Sequence, residues 1–178
     1  MGAADIKKPF IFAVCGRKNS GKTTLIVEIV KFFTEKHFRV AVIKHDGHDF
    51  TCDVPGTDSD RFAKAGAKSV AVYSRERIFV HQREKAQEEE KLQLLINTFK
   101  DADLIVIEGA KNSSLPKVEL LGRDKEAMPV SNSQGRRFLI SDNPEKNYGE
   151  KVISSKETDV ILKTLYAMFK DKEEESYV

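Results

Sequence analysis

The octapeptide Gly16-Arg17-Lys18-Asn19-Ser20-Gly21-Lys22-Thr23 fits the pattern GxxxxGK[ST], and its flanks leave few folds open. Residues 10–15, just before it, form a continuous apolar run, as expected of a strand buried on both faces. Residues 23–36, just after it, carry Leu25, Ile26, Ile29, Val30 and Phe33 at helical spacing. Strand, glycine-bounded turn and helix in that order make a cradle for phosphate. Four residues between two glycines let the backbone curl until its N–H groups converge on an anion. Glycine is needed where a Cβ would meet phosphate or where φ is positive. Lys22 then reaches the outer phosphates as a point charge and serves catalysis in that role. The Thr23 hydroxyl ligates Mg²⁺, and the helix opening at Thr23 and Thr24 adds its positive end. Residues Gly16, Arg17, Lys18, Asn19, Ser20, Gly21, Lys22, Thr23 and Thr24 are therefore the expected nucleotide contacts.

Short apolar runs alternate with helical patterns along the rest of the chain, which is the signature of a parallel α/β sheet. Residues 40–43 and 104–107 read as buried strands. Residues 57–65 read as a short helix capped by Thr57 or Asp58 and stopped by Gly66. Strands at 69–73 and 78–81 suggest a hairpin around 74–77. A charged helix follows at 85–99, with Leu92, Leu95, Ile96 and Phe99 on one face. Residues 118–121 and 138–140 read as further strands, and 156–170 as a last helix packing through Val160, Ile161, Leu165 and Met168. The expected fold is a P-loop NTPase-type three-layer α/β sandwich with a mostly parallel central sheet. The expected organisation is an N-terminal extension at 1–9, one nucleotide-binding domain at 10–170 and an acidic tail at 171–178.

The chain carries 30 lysines and arginines against 28 aspartates and glutamates, a formal charge of +2. That balance argues against a generic nucleic-acid or membrane partner and makes any basic site local. No apolar run approaches the roughly 20 residues a bilayer-spanning helix needs. Two cysteines are too few for a disulfide framework, so cytoplasm is the expected compartment.

A phosphate loop needs an acidic partner at a neighbouring strand end to hold the metal. Leu104-Ile105-Val106-Ile107-Glu108-Gly109 supplies Glu108, the expected metal and catalytic carboxylate, where open α/β sheets bind ligands. The segment after residues 40–43 is dense in His, Asp and Cys and should lie on the same side. In it Asp46 is a candidate metal ligand. His45, His48, Asp49, Asp53, Asp58 and Arg61 form a candidate loop for a cofactor or partner. His45, His48 and Cys52 have loose metal-ligand spacing without completing a recognised pattern. Lys111 and Lys117 follow Glu108 and should lie on the same rim, with solvated lysines as the plain reading.

Four stretches together resemble one family. They are Ser20-Gly21-Lys22-Thr23-Thr24-Leu25; Val42-Ile43-Lys44-His45 with His48-Asp49-Phe50; Asp53-Val54-Pro55-Gly56-Thr57-Asp58-Ser59 with Arg61 and Ala65-Gly66-Ala67; and Glu108-Gly109-Ala110-Lys111 with Leu115-Pro116-Lys117-Val118-Glu119. Their order and chemistry are similar to those of the molybdopterin-guanine dinucleotide biosynthesis protein B family, MobB. The sequence departs from that family at Gly47, where a histidine is usual, and at Ala110, where a large apolar residue is usual. The resemblance implies a homodimeric GTP-binding accessory protein with weak GTP hydrolysis in molybdenum cofactor biosynthesis. GTP and Mg²⁺ are the implied ligands. Molybdopterin, or the molybdenum cofactor, and the guanylyltransferase of the pathway are the implied partners. A molybdopterin phosphate is what Lys111 and Lys117 would meet.

Guanine selection calls for a carboxylate facing the base's N1–H and N2 amino group. The N-K-x-D motif of many GTPases is absent, and Ser141-Asp142 resembles a strand-end pair in the family. Asp142 is thus the candidate base-reading residue, with a turn before Asn143-Pro144 as the plain reading. Two alternatives share the fold. A small-molecule kinase would use Arg75, Arg77 and Arg83 in a lid, and a metal-insertion GTPase would use His45, His48 and Cys52.

Overall fold

The computed structural model describes residues 8–46, 53–124 and 126–175. These build β1 (Phe10–Gly16), α1 (Lys22–Thr34), β2 (Val40–Lys44), α2 (Asp58–Lys64), β3 (Ser69–Tyr73), β4 (Ile78–Gln82), α3 (Glu88–Thr98), β5 (Leu104–Glu108), β6 (Lys117–Gly122), β7 (Arg136–Ser141), β8 (Val152–Ser154) and α4 (Thr158–Glu175). The described residues gather into two compact units, Asp46–Leu95 forming one and the residues on either side of it the other.

The larger unit is a six-stranded sheet in the order β2-β5-β1-β6-β7-β8, with every neighbouring pair parallel. The expected α/β class with a parallel sheet is what the chain forms. Strands buried on both faces have no polar alternation, which is why β1 and β5 were legible as plain apolar runs. On one face, Ile26, Ile29 and Phe33 of α1 and Ile161, Leu165 and Phe169 of α4 pack over Phe12, Val14, Val106 and Phe138. Each such side chain contributes about 1.5–3 kcal/mol by leaving water. On the other face, Leu121, Leu139 and Ala127 form a smaller cluster, beside the buried Lys117 and Glu119.

At the N-terminal edge of the sheet, Asp103 accepts hydrogen bonds from the Arg39 backbone N–H at 2.7 Å and from its guanidinium at 3.1 and 3.2 Å. Asp103 thus clasps β2 to β5 far from the strand ends that bind ligands.

The elements differ from the sequence reading most at the C-terminal end of the chain. The final helix runs on to Glu175, past residue 170, because Glu and Lys are good helix formers. Strand β8 was not anticipated, since its three residues are too few to show a period.

In the smaller unit, α2 is capped by Thr57, whose side chain accepts from the Asp60 N–H, and Gly66 follows its end with a φ of +107°. Strands β3 and β4 form the expected antiparallel hairpin, closed by Ser74 N–H on the Arg77 carbonyl at 2.8 Å. Among the described residues no helix is long and apolar enough to cross a membrane.

Candidate nucleotide-binding site

Strand β1 delivers the chain to Gly16, whose φ of +143° few residues other than glycine adopt. A Cβ there would stand 2.4 Å from the Leu120 carbonyl oxygen and 2.6 Å from Ser20 Oγ. Packing of β6 therefore demands glycine at the first position of the motif. Asn19 takes a left-handed φ of 61°, and Ser20 N–H closes the turn on the Arg17 carbonyl at 3.3 Å. Gly21 caps α1 with φ +96°, offers no side-chain acceptor, and is followed by no acidic residue in the first turn. The first turn of α1 thus has neither a side-chain cap nor an acidic residue of its own, which suits an anion. Ser20 Oγ is buried with no hydrogen-bond partner, a polar atom placed for a ligand oxygen.

Lys22 Nζ donates to the carbonyls of Gly16 at 3.2 Å and Arg17 at 2.7 Å, which holds the ammonium over the loop. Arg17, Lys18, Asn19 and Thr24 are exposed around it. Glu108 closes β5, level with Val14 on β1 and Lys44 on β2. Its two carboxylate oxygens lie 3.3 and 3.4 Å from Thr23 Oγ1. A hydroxyl and a carboxylate are hard oxygen donors of the kind Mg²⁺ takes together with water and phosphate oxygens, so the pair fits that ion. The structure thus brings together the expected residues of the loop, Thr23 and Glu108.

His45 joins them at the same edge. Its N–H donates to the Glu108 carbonyl at 2.9 Å. A Cβ at Gly109 would stand 3.3 Å from its Cβ, which with a φ of +105° explains the glycine after the acid.

Asp46, Asp53, Asp58 and Arg61 belong to the smaller unit. There Asp53 accepts from Val54 N–H at 2.9 Å and Thr57 Oγ1 at 3.1 Å, and Asp58 pairs with Arg61 at 3.5 Å. Asp60, which the sequence reading passed over, accepts from Gly56 N–H at 2.8 Å and from Lys64 at 2.7 Å. That backbone hydrogen bond, with Lys64 beside it, holds the Asp60 carboxyl below its usual range. The Asp-Val-Pro-Gly-Thr-Asp-Ser stretch thus builds the entry to α2. His48, Asp49 and Cys52 lie outside the described residues. Among the described residues no three His, Cys, Asp or Glu side chains gather into a metal site.

Lys111 is exposed on the loop after β5, as expected. Lys117 is not on the rim. Strand β6 starts there, level with Ala13 in the middle of β1, so the side chain is wholly buried. Its ammonium donates to the carbonyls of Ser113, Asn132 and Gln134, pinning two loops together. Burial pulls its pKa below the ordinary lysine range. A docking role for Lys117 is therefore replaced by a structural one.

Cys15 is buried on the same face, its Sγ 2.8 Å from the Gly109 carbonyl, and burial pushes the thiol up to about 11. At neutral pH it is a thiol, and thiolate is the reactive form. Alkylation read by mass spectrometry is expected to leave Cys15 unmodified in the native protein and to label it after unfolding. Rapid native labelling would contradict this placement.

Asp142 is the first residue past β7 and is exposed. Its Oδ1 accepts from the Ser155 hydroxyl, while Ser141 Oγ accepts from Asn143 N–H at 3.0 Å. Ser155 follows β8, and the sequence reading missed both.

Known proteins resemble this chain in sequence and in fold. Residues 11–142 match the family described as molybdopterin guanine dinucleotide synthesis protein B, MobB. A Haemophilus influenzae molybdopterin-guanine dinucleotide biosynthesis adapter protein is 32% identical over 122 residues, covering 67% of each chain. The Escherichia coli protein of the same name is 33% identical over 112 residues, covering 62% of this chain and 64% of its own length. The crystal structure of Bacillus subtilis MobB shares the fold with a TM-score of 0.69 at 24% identity, over 88% of this chain and 96% of that one. With the family match running from the first strand through Asp142, this chain belongs to the MobB family.

Proposed function

We propose that the chain binds GTP with Mg²⁺ and acts as an adapter in forming molybdopterin guanine dinucleotide. The observation that carries this is the approach of Thr23 and Glu108 beside a loop whose helix end is uncapped and whose Ser20 hydroxyl is buried without a partner. Backbone N–H groups of residues 16–24 would hold the phosphates, Lys22 would neutralise the outer ones, and Thr23 with Glu108 would hold the metal. Asp142, at a strand end on the same edge of the sheet, would read the guanine. Mg²⁺ would supply charge neutralisation on the phosphate oxygens when bound. Hydrolysis is slow in this reading, because the work is nucleotide binding and contact with molybdopterin and the guanylyltransferase. A homodimer is part of the proposal, and the exposed Tyr73, Ile78 and Val80 of the β3–β4 hairpin offer apolar surface for it.

Isothermal calorimetry tests this directly. GTP is expected to bind more tightly than ATP when Mg²⁺ is present, and Glu108→Gln is expected to lose most of the Mg²⁺ dependence. Equal binding of the two nucleotides would remove the guanine assignment. An unchanged Mg²⁺ dependence in Glu108→Gln would remove the metal assignment.

A further inference from the structure

The strand order gives the site a direction. Glu108 lies on β5, on one side of β1, so a metal on its carboxylate draws the terminal phosphate to that side. The nucleoside must then extend the other way, past β6, toward the ends of β7 and β8. Gly122, at the end of β6, lies beneath the loop, since a Cβ there would meet the Ser20 backbone at 3.4 Å. One ladder further on, β7 ends at Ser141 and hands over to Asp142. Two inter-strand spacings separate β1 from β7, about 10 Å.

At that place Asp142 does not stand alone. Strand β8 pairs in parallel with β7 through Ser141 and Ser154, and the ladder continues as Ser155 N–H donates to the Ser141 carbonyl at 3.0 Å. This sets the Ser155 hydroxyl beside the Asp142 carboxylate, and it donates to Oδ1. A serine that merely shaped its own turn would bond to its own backbone. Here Ser154 does that work, its Oγ accepting from Lys156 N–H at 3.3 Å.

We infer that Ser155 is a positioning residue for base recognition, its hydroxyl fixing the Asp142 carboxylate in the orientation that faces the N1–H and N2 amino donors of a guanine. The inference rests on the proposal that Asp142 reads the base. An exposed carboxylate turns freely about its last bond, and fixing one oxygen lowers the ordering cost when a ligand arrives. Adenine offers no such pair of donors on that edge, so Ser155 acts on guanine discrimination and leaves the phosphate grip untouched.

The test compares wild type, Ser155→Ala, Ser155→Thr and Asp142→Asn in calorimetric titrations with GTP, ATP and XTP, each with Mg²⁺. Ser155→Ala is expected to weaken GTP about five- to tenfold, the size of the cost of ordering one side chain on binding, with ATP unchanged. Ser155→Thr restores the hydroxyl and is expected to restore GTP binding. Asp142→Asn is expected to lose GTP and gain XTP, because xanthine presents a carbonyl where guanine has its amino group and a carboxamide can donate to it. A GTP:ATP ratio unchanged in Ser155→Ala overturns the role of Ser155, and so does an equal loss of both nucleotides. If Asp142→Asn shifts the preference while Ser155→Ala does not, the base reading stands and the positioning role falls. If wild type shows no GTP preference, both fall together.

Discussion

Replacing Glu119 with alanine is expected to lower the unfolding free energy by about 3–5 kcal/mol, the cost of breaking a buried ion pair by removing one partner. Glu119 sits on β6 between Cys15 of β1 and Leu139 of β7, and only 1% of it is accessible. Its carboxylate accepts from the backbone N–H groups of Val130 at 2.6 Å and Ser131 at 3.0 Å, from the Ser131 hydroxyl, and from Arg136 at 3.2 Å. Alanine would leave two backbone donors without an acceptor, each costing about 1–3 kcal/mol. Arg136 would keep its pair with Glu150, at 2.7 Å through Nε, which bounds the loss. Glutamine keeps one acceptor and should lose less than alanine. Urea unfolding should show a lower midpoint at constant slope. For a chain of this size the loss corresponds to a melting shift of roughly 6–20 °C. A change below about 1 kcal/mol, typical of an exposed pair, would show that this network is not the closed one described.

That network also shows what a sequence can and cannot convey. The phosphate loop was legible because every residue of it answers a local demand: a glycine where φ is positive, a lysine and a threonine where the helix opens. Glu108 was legible because a carboxylate after four apolar residues can only stand at a strand end. Lys117 and Glu119 look no different in the sequence from surface residues on an alternating strand. Their burial follows from β6 entering the sheet halfway along β1, which only the register reveals. Ser155 was hidden for a related reason, since its meaning comes from lying beside Asp142 on the neighbouring strand end, and β8 is too short to announce itself. Conversely, the Asp-rich stretch around Asp53 and Asp58 looked like a site, and its described contacts build a helix entry. Asp and Thr residues that cap helices are chemically the same residues that bind metals, so composition alone does not separate the two uses.

Lys22→Ala is expected to remove nucleotide binding while leaving the fold intact. The Lys22 side chain makes no contribution to the core, and its two hydrogen bonds, to the carbonyls of Gly16 and Arg17, are made within the loop. Losing them costs little, because carbonyls at a half-open loop can turn to water. With triphosphate bound, the same ammonium would reach two phosphate oxygens. Two charge-assisted hydrogen bonds at about 1.5–3 kcal/mol each amount to roughly 3–6 kcal/mol. That is a loss of affinity of about 100- to 10,000-fold. Lys22→Arg should not rescue it, because a planar fork is wider than the space a point charge occupies between loop and phosphate. The loss should be equal for GTP and ATP, since the lysine touches only what the two nucleotides share. Circular dichroism and the melting temperature should stay near those of the wild type. Tight binding retained by Lys22→Ala would mean that the nucleotide is held elsewhere, and the assignment of residues 16–24 would fail with it. A loss confined to GTP would instead place Lys22 near the base, which its position at the opening turn of α1 does not allow.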